Sequence, residues 1–384
     1  MLITGTSADK VYDSFPANLV VLIIGVSLMF SHLEFSGAIR WIIDGAFRIM
    51  GDHAVFIPWV GFLLGGFLST VGIFGTGPVA ILVPIFAFIS VQYPGTYLIN
   101  GLGVIMGSIG LGVSPLNPTG ATIQHLGEQA GATYSVWGLW GVAVVVTAVA
   151  LAALQVIFWW LNKRGKAVIE PQAAQVAQGE ESRKAQVHTG YAITSLIGLV
   201  LFVTGVVAFD FDVGLTSMAV AAVLQLIFRP VQTDMLAKVP WAAVLLIGGL
   251  LTYLGLLRSA GTIDAIQDGL NTMTTGVILV LVLAYATAGL CNVESSALGI
   301  LSLTMPLAFG FFGDSSNIFW IVAAIAVPSG LMVMNPIHIA GALVVANAQK
   351  DRQNDVFRLF LYTSLGMTVV VPGVLSSIPL ALGT

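Results

Sequence analysis

Charge is what this sequence lacks most. Only 8% of its 384 residues are Asp, Glu, Lys or Arg, while 57% are apolar. A soluble domain carries about a quarter charged residues. So few charges cannot cover a water-facing surface, and lipid must be the solvent for most of the molecule. Cysteine is nearly absent as well. Cys291 stands alone, which excludes an intrachain disulfide and leaves the redox compartment unread. There is no Walker loop, dinucleotide fingerprint or nucleic-acid footprint, no HxxxxH or CxxC spacing, and no Ser/His/Asp order. Nucleic acid is therefore not an expected partner, no resident cofactor is expected, and hydrolase and metalloenzyme readings are weak. Met1–Phe15 has no basic segment followed by an apolar core, so no signal peptide is expected there.

What the sequence has instead is long apolar runs, at 17–31, 136–161, 190–209, 213–228, 241–257 and 357–380. A membrane-spanning helix needs about 20 such residues. Backbone in hydrocarbon must satisfy its own hydrogen bonds, which leaves helices or a closed barrel. These runs are continuous and do not alternate, so helices are expected. The one long polar stretch is Asn162–His188, read as a flexible loop between two halves.

The halves repeat one another. Pro16, Ile23, Gly25, Gly37, Ile39 and Asp44 recur 224 positions later as Pro240, Ile247, Gly249, Gly261, Ile263 and Asp268. Pro84 meets Pro306 at an offset of 222; Ser108, Pro115 and Gly120 meet Ser329, Pro336 and Gly341 at 221. A slowly drifting offset is what small indels in a duplicated unit produce. The organisation expected is a first repeat at 1–161, a polar loop at 162–189 and a second repeat at 190–384. The helices 190–209 and 213–228 have no counterpart ahead of Pro16, so the first repeat reads as lacking its leading helices. A misplaced start at Met1, or a shortened and inactive paralogue, would account for that.

Four apolar stretches are interrupted. Residues 56–90 break at Ser69–Pro78 and 276–311 break at Cys291–Ser296. Each stretch is too long for one crossing, and both read as re-entrant hairpins. Residues 98–126 break at Ser114–Gly120 and 317–348 break at Asn335–Gly341, which read as broken transmembrane helices. Irregular backbone at membrane depth is tolerated only against protein or a polar cavity. With this layout, 12 of the 14 Lys and Arg residues fall on one side, leaving only Lys10 and Arg258 opposite. The crowded side is expected to be cytoplasmic, with the polar loop there, in a plasma or inner membrane. The two repeats then run in opposite senses. The expected fold is an all-α polytopic membrane protein with inverted-topology repeats, each carrying a hairpin and a broken helix.

Polar groups at membrane depth are functional candidates. In the first hairpin these are Ser69, Thr70 and Thr76, with Gly72 and Gly75 giving close backbone approach for a coupling ion. In the second they are Asn292, Ser295 and Ser296. Glu294 is either a partner of sodium, a proton carrier, or an acid at a wet hairpin tip. The broken helices add Ser114, Asn117, Thr119, Asn335 and His338. Helix ends there offer free amides to an anion, and unwound carbonyls suit a cation such as Na+. His32, His53, His125 and His188 are expected near the interface. Trp137, Trp140, Trp159, Trp160 and Tyr191 are expected in the aromatic belt, and Ser36–Gly51 reads as an amphipathic interfacial helix.

The segments FPANLVVLIIGVSLMF, IPWVGFLLGGFLSTVGIFGTGPVAILVPI and Asn335–Ala348 resemble the dicarboxylate carrier family that includes bacterial malonate carriers of the MatC type. The element order is similar to that of the ion-transporter superfamily of divalent-anion/sodium symporters. The resemblance covers nearly the whole chain. It implies a scaffold domain and a moving transport domain, an elevator motion, a homodimer in the bilayer, and Na+ or H+ symport of a small organic anion. In related symporters a Ser-Asn-Thr triplet at each hairpin tip holds carboxylate and sodium; Ser69-Thr70 and Cys291-Asn292 occupy the nearest positions here. An inorganic-anion permease or a sodium/proton antiporter of the same superfamily is the alternative.

Overall fold

A computed structural model of the chain describes residues 8–50, 53–164, 169–172, 188–230, 232–259, 261, 276–293 and 297–382. Among these residues the regular structure is helical, apart from one bridge between Pro171 and Ala348. In chain order the α-helices are α1 (Ala8–Asp13), α2 (Ala17–Ser36), α3 (Ala38–Met50), α4 (Ile57–Thr70), α5 (Gly77–Ser90), α6 (Tyr97–Gly110), α7 (Pro118–Gln129) and α8 (Val136–Lys163). After the loop come α9 (Thr189–Phe209), α10 (Val213–Phe228), α11 (Gln232–Ala237), α12 (Trp241–Ser259), α13 (Gly276–Leu290), α14 (Ala297–Phe312), α15 (Ile318–Met332), α16 (Ile339–Ala346) and α17 (Gln353–Leu382).

Length separates two kinds of helix. Four are long and apolar enough to cross a membrane: α2, α8, α9 and the Lys350–Leu382 stretch containing α17. The helices flanking the four interruptions are shorter. α4 and α5 have 14 residues each, or roughly 21 Å at 1.5 Å per residue, against a hydrocarbon core of roughly 30 Å. A hairpin of two such helices fits entering and leaving on one side. The broken helices part earlier than the sequence suggests. α6 ends at Gly110 and α15 at Met332, each followed by a few irregular residues before α7 and α16 begin.

The element order recurs. α2, hairpin α4–α5, broken helix α6–α7 and α8 are followed by α12, hairpin α13–α14, broken helix α15–α16 and α17. Pro16 and Pro240 each stand directly before a helix, and Pro84 and Pro306 lie inside α5 and α14. Gly37 and Gly261 both take a left-handed φ, 82° and 71°. Gly37 closes α2 and turns the chain into α3, a conformation that costs a side-chain-bearing residue about 1–2 kcal/mol. α3 is the expected amphipathic helix, burying Ala38, Ile39 and Ile43 along one face.

Glycine also decides how closely helices pack. α4 carries Gly61 and Gly65, and α6 carries Gly103 and Gly107, two four-residue spacings set against each other. A Cβ on Gly103 would stand 2.2 Å from the Pro58 carbonyl oxygen, and one on Gly107 2.1 Å from that of Phe62. The two backbones therefore touch, as small-residue pairs permit in membranes. α2 crosses α10 with similar closeness at Gly25 and Gly214.

Two bodies result. α2 packs with α9, α10, α11 and α12, while α4–α8 pack among themselves and with α13–α17. Between the bodies α2 touches α7, α12 touches α14, and α3 reaches both. Three local expectations change. Tyr191, expected in the aromatic belt, is buried and stacks on Phe228, their ring centroids 4.2 Å apart. His32 is buried inside the first body, its Nδ1 2.5 Å from the Tyr191 hydroxyl, because α9 closes over it. Trp140 turns inward and donates its Nε1–H to Thr70 Oγ1 at 3.0 Å.

Candidate functional site

A cavity of about 910 Å³ lies between the two bodies. One wall is Ser27, Phe30 and Ser31 of α2 with Pro240, Ala242, Ala243 and Leu246 at the start of α12. The other is the first hairpin tip, with Ser69, Ile73, Phe74, Gly75, Thr76 and Gly77, together with Ser108, Gly112, Asn117, Thr119 and His338. Glu34, Arg40 and Lys238 line it as well, and Glu34 Oε1 accepts from Lys238 Nζ at 2.7 Å. Both of those side chains are exposed, so they mark the mouth.

Four helices begin on this cavity. Thr76 and Gly77 open α5, Asn117 caps α7, Ala297 and Leu298 open α14, and His338 caps α16. The first amides of a helix have no partner within it, and its dipole places positive charge there. Helix ends of this kind add positive potential to a cavity whose lining arginine and lysine are Arg40 and Lys238.

The hairpin tips are tied to the helix breaks by matching bonds. In the first unit Ser114 Oγ donates to Thr70 O at 2.7 Å. Asn117 Nδ2 donates to Ser69 O at 2.9 Å and to Ile73 O at 3.2 Å, while its Oδ1 accepts from Thr119 N at 3.1 Å. Gly72, with φ 121°, lets the tip turn beneath α2, where a Cβ would stand 2.6 Å from Val26 Cγ1. In the second unit Asn335 Nδ2 donates to Asn292 Oδ1 at 2.8 Å. His338 Nδ1 accepts from Ala340 N at 3.3 Å, so it caps α16 as Asn117 caps α7. Ser114 and Asn335 match at the 221 offset, as do Asn117 and His338; Thr70 and Asn292 match at 222. The repeat seen in the sequence is thus also a repeat of tip-to-break bonds.

The two units differ in what stays open. Ser69, Gly75, Thr76, Asn117, Thr119 and His338 line the cavity; Thr70, Gly72, Ser114, Asn292 and Asn335 do not. Asn292 is saturated: its Oδ1 also accepts from Ser364 Oγ at 2.6 Å, and its Nδ2 donates to Thr368 Oγ1 and Ala288 O. An amide has two acceptor sites and two donors, and all four are engaged. Glu294, Ser295 and Ser296 lie outside the described residues. Asn292→Ala is therefore expected to leave Asn335 and Ser364 without their buried partner and to cost about 2 kcal/mol. Lowered thermal survival of the solubilised protein would register it; unchanged stability with reduced uptake would instead make Asn292 a ligand.

One wall residue escaped sequence reasoning. Ser108 is 1% exposed, and its Oγ has no hydrogen-bond partner among the described residues. Its counterpart Ser329 donates to Ala326 O at 2.6 Å. The repeat match flagged the position; only packing shows that the two hydroxyls differ. Glu34, Arg40 and Lys238 were likewise legible as loop charges but not as a cavity mouth. Among the described residues no group of three His, Cys, Asp or Glu side chains could hold a metal.

The family model described as a citrate transporter (CitMHS) matches residues 1–328. The chain belongs to this citrate transporter family. Its fold is similar to that of the crystal structure of the YdaH transporter from Alcanivorax borkumensis, reported as having an unusual topology. The TM-score is 0.67 at 15% identity, covering 98% of this chain and 90% of that one. Comparison with curated proteins finds no match. As a member of the citrate transporter family, the protein is a secondary transporter in a membrane and not an enzyme.

Proposed function

We propose that this transporter carries a small di- or tricarboxylate, of malonate to citrate size, in symport with Na+ or H+. The observation that carries the reading is the convergence of four helix N-termini on one cavity. Fixed amide dipoles stabilise carboxylates without a buried cation that would have to be desolvated. Ser69, Thr76, Thr119, His338 and Ser108 supply the hydrogen bonds that select carboxylate oxygens, while Asn117, its two N–H donors engaged by Ser69 O and Ile73 O, positions the tip beside them. Thr70, Ser114, Asn292 and Asn335 hold the tips in place. The MatC-like segments favour a dicarboxylate, and the family description favours citrate.

The body that holds both hairpins moves against α2 and α9–α12 in this reading, which suits a substrate site at the boundary between them. The mouth lies on the cation-rich side expected to be cytoplasmic, so the structure corresponds to an inward-open state in a plasma or inner membrane. A coupling cation offsets the charge of the anion near the glycine-rich tip at Gly72 and Gly75, where irregular backbone offers carbonyls.

The test is uptake of labelled citrate, malonate and succinate into vesicles holding the purified protein, with sodium or proton gradients imposed separately. Saturable uptake of one carboxylate, inhibited by the others and driven by one gradient, supports the reading and names the ion. Flux of inorganic anion or sodium/proton exchange without organic substrate would replace it by the alternative.

A further inference from the structure

The last turn of α8 holds a feature that transport does not use. Trp159 and Trp160 are 58% and 47% exposed, although they end a membrane-length apolar helix. Lys163 Nζ lies 3.7 Å from the Trp159 ring centroid, and Arg164 Cζ lies 3.4 Å from that of Trp160. Each cation stands four residues past its ring, so both fold back along the helix and over the indoles. Among the described residues neither forms an ion pair. The carbonyl end of a helix repels anions by itself; two adjacent cations reverse that sign. This turn is held in place, because Asn162 Nδ2 donates to Gly95 O at 2.8 Å.

Below the cations runs an exposed apolar stripe. Val145, Val149, Val156 and Trp160 are all exposed and follow one another at helical spacing, with Arg164 continuing the line. From Val145 to Trp160 the rise is roughly 22 Å, longer than the roughly 15 Å of hydrocarbon in one leaflet. A single lipid laid here would place its acyl chain on the valines, its glycerol level at the indoles and its phosphate at the cations.

We propose that the end of α8 is a binding site for one anionic phospholipid, with Lys163 and Arg164 as ligands of its phosphate. Indole rings prefer the interfacial level, so they set the depth of the headgroup. A guanidinium stacked on a ring keeps its edge N–H groups free for bidentate contact with phosphate. Lys163 supplies the second charge, and the stripe supplies shape for the chain. This inference stands apart from the substrate reading, since none of these residues lines the cavity.

The experiment is native mass spectrometry of the full chain in detergent, titrated with phosphatidylglycerol or phosphatidylcholine. Wild type is expected to retain one phosphatidylglycerol more tightly than phosphatidylcholine. The double variant Lys163→Gln/Arg164→Gln is expected to bind that lipid about 30-fold more weakly, the loss of two surface cations. The charge-keeping variant Lys163→Arg/Arg164→Lys is expected to retain it, which separates lost charge from lost folding. Equal retention of the two lipids by wild type, or undiminished phosphatidylglycerol binding by the glutamine variant, overturns the proposal. A lipid-independent dimer that the glutamine variant breaks also overturns it, and assigns this face to a second copy of the chain.

Discussion

Gly120→Ala and Gly341→Ala are each expected to abolish transport by preventing a broken helix from forming. A Cβ on Gly120 would stand 2.1 Å from Ser114 O and 2.4 Å from Val113 O. On Gly341 it would stand 2.3 Å from Asn335 O and 2.5 Å from Met334 O. The obstructing atoms are backbone carbonyls, which cannot rotate aside as a flexible side chain could. Neither glycine has positive φ, so the constraint is contact and not dihedral strain. Relief requires moving the break itself, and with it the bonds from Ser114 and Asn335 to the hairpin tips. A cost of about 3 kcal/mol is the scale for forcing a methyl into a filled space. Gly141→Ala in α8 is the control, since nothing lies within 4 Å of a Cβ there, and helix propensity favours alanine by about 1 kcal/mol. The measurement is membrane abundance and monodispersity, followed by uptake. Normal accumulation and normal uptake by Gly120→Ala would show that the break does not need this close return of the chain.

The second large effect is expected at Asn117. Asn117→Ala removes two bonds to the first hairpin tip and the cap of α7. At about 1 kcal/mol for each of three bonds, uptake falls by roughly two orders of magnitude, because tip and helix end no longer hold the cavity floor. Asn117→Asp sharpens the test. A carboxylate still accepts from Thr119 N and so keeps the cap. It cannot donate to Ser69 O and Ile73 O, and it sets a negative charge where an anion is to bind. Loss of uptake in both variants therefore shows that the cap alone does not sustain transport, and leaves the tip bonds together with the uncharged state of this position as what it requires. Ser31→Ala on the opposite wall is expected to stay near wild type, since its hydroxyl already donates to Ser27 O within its own helix. Wild-type uptake by Asn117→Asp would remove the tip bonds from the mechanism.

Particular residues show how far each source of information reached. Interruptions at Ser69–Pro78 and Cys291–Ser296 were visible because polar and glycine residues are costly in hydrocarbon, and the helices part there as expected. The offset of 221 paired Ser114 with Asn335, which each donate to a hairpin tip, and Asn117 with His338, which each cap a helix, although Asn117 also bonds its tip. Yet matching positions did not have matching exposure. Ser108 is left without a partner among the described residues whereas Ser329 is bonded within its helix, and Asn117 faces a cavity that Asn292 and Asn335 do not reach. His32 and Trp140 looked interfacial by position, and neighbouring helices turned both to the interior.

By itself, the sequence determined the solvent, the helical class, the duplicated order and which apolar stretches are interrupted. Those properties follow from composition and spacing, because hydrocarbon penalises every unpaired polar group wherever the chain runs. Only the tertiary structure decided which matched groups face the cavity, which saturate one another and which helix ends converge. Those depend on how two similar units pack against unlike neighbours: α2 and α12 form one wall of the cavity, while α8 packs on α6 and α17 on α13 and α15 without lining it. Packing of that kind is a property of surfaces meeting in space, and no periodicity along the chain encodes it.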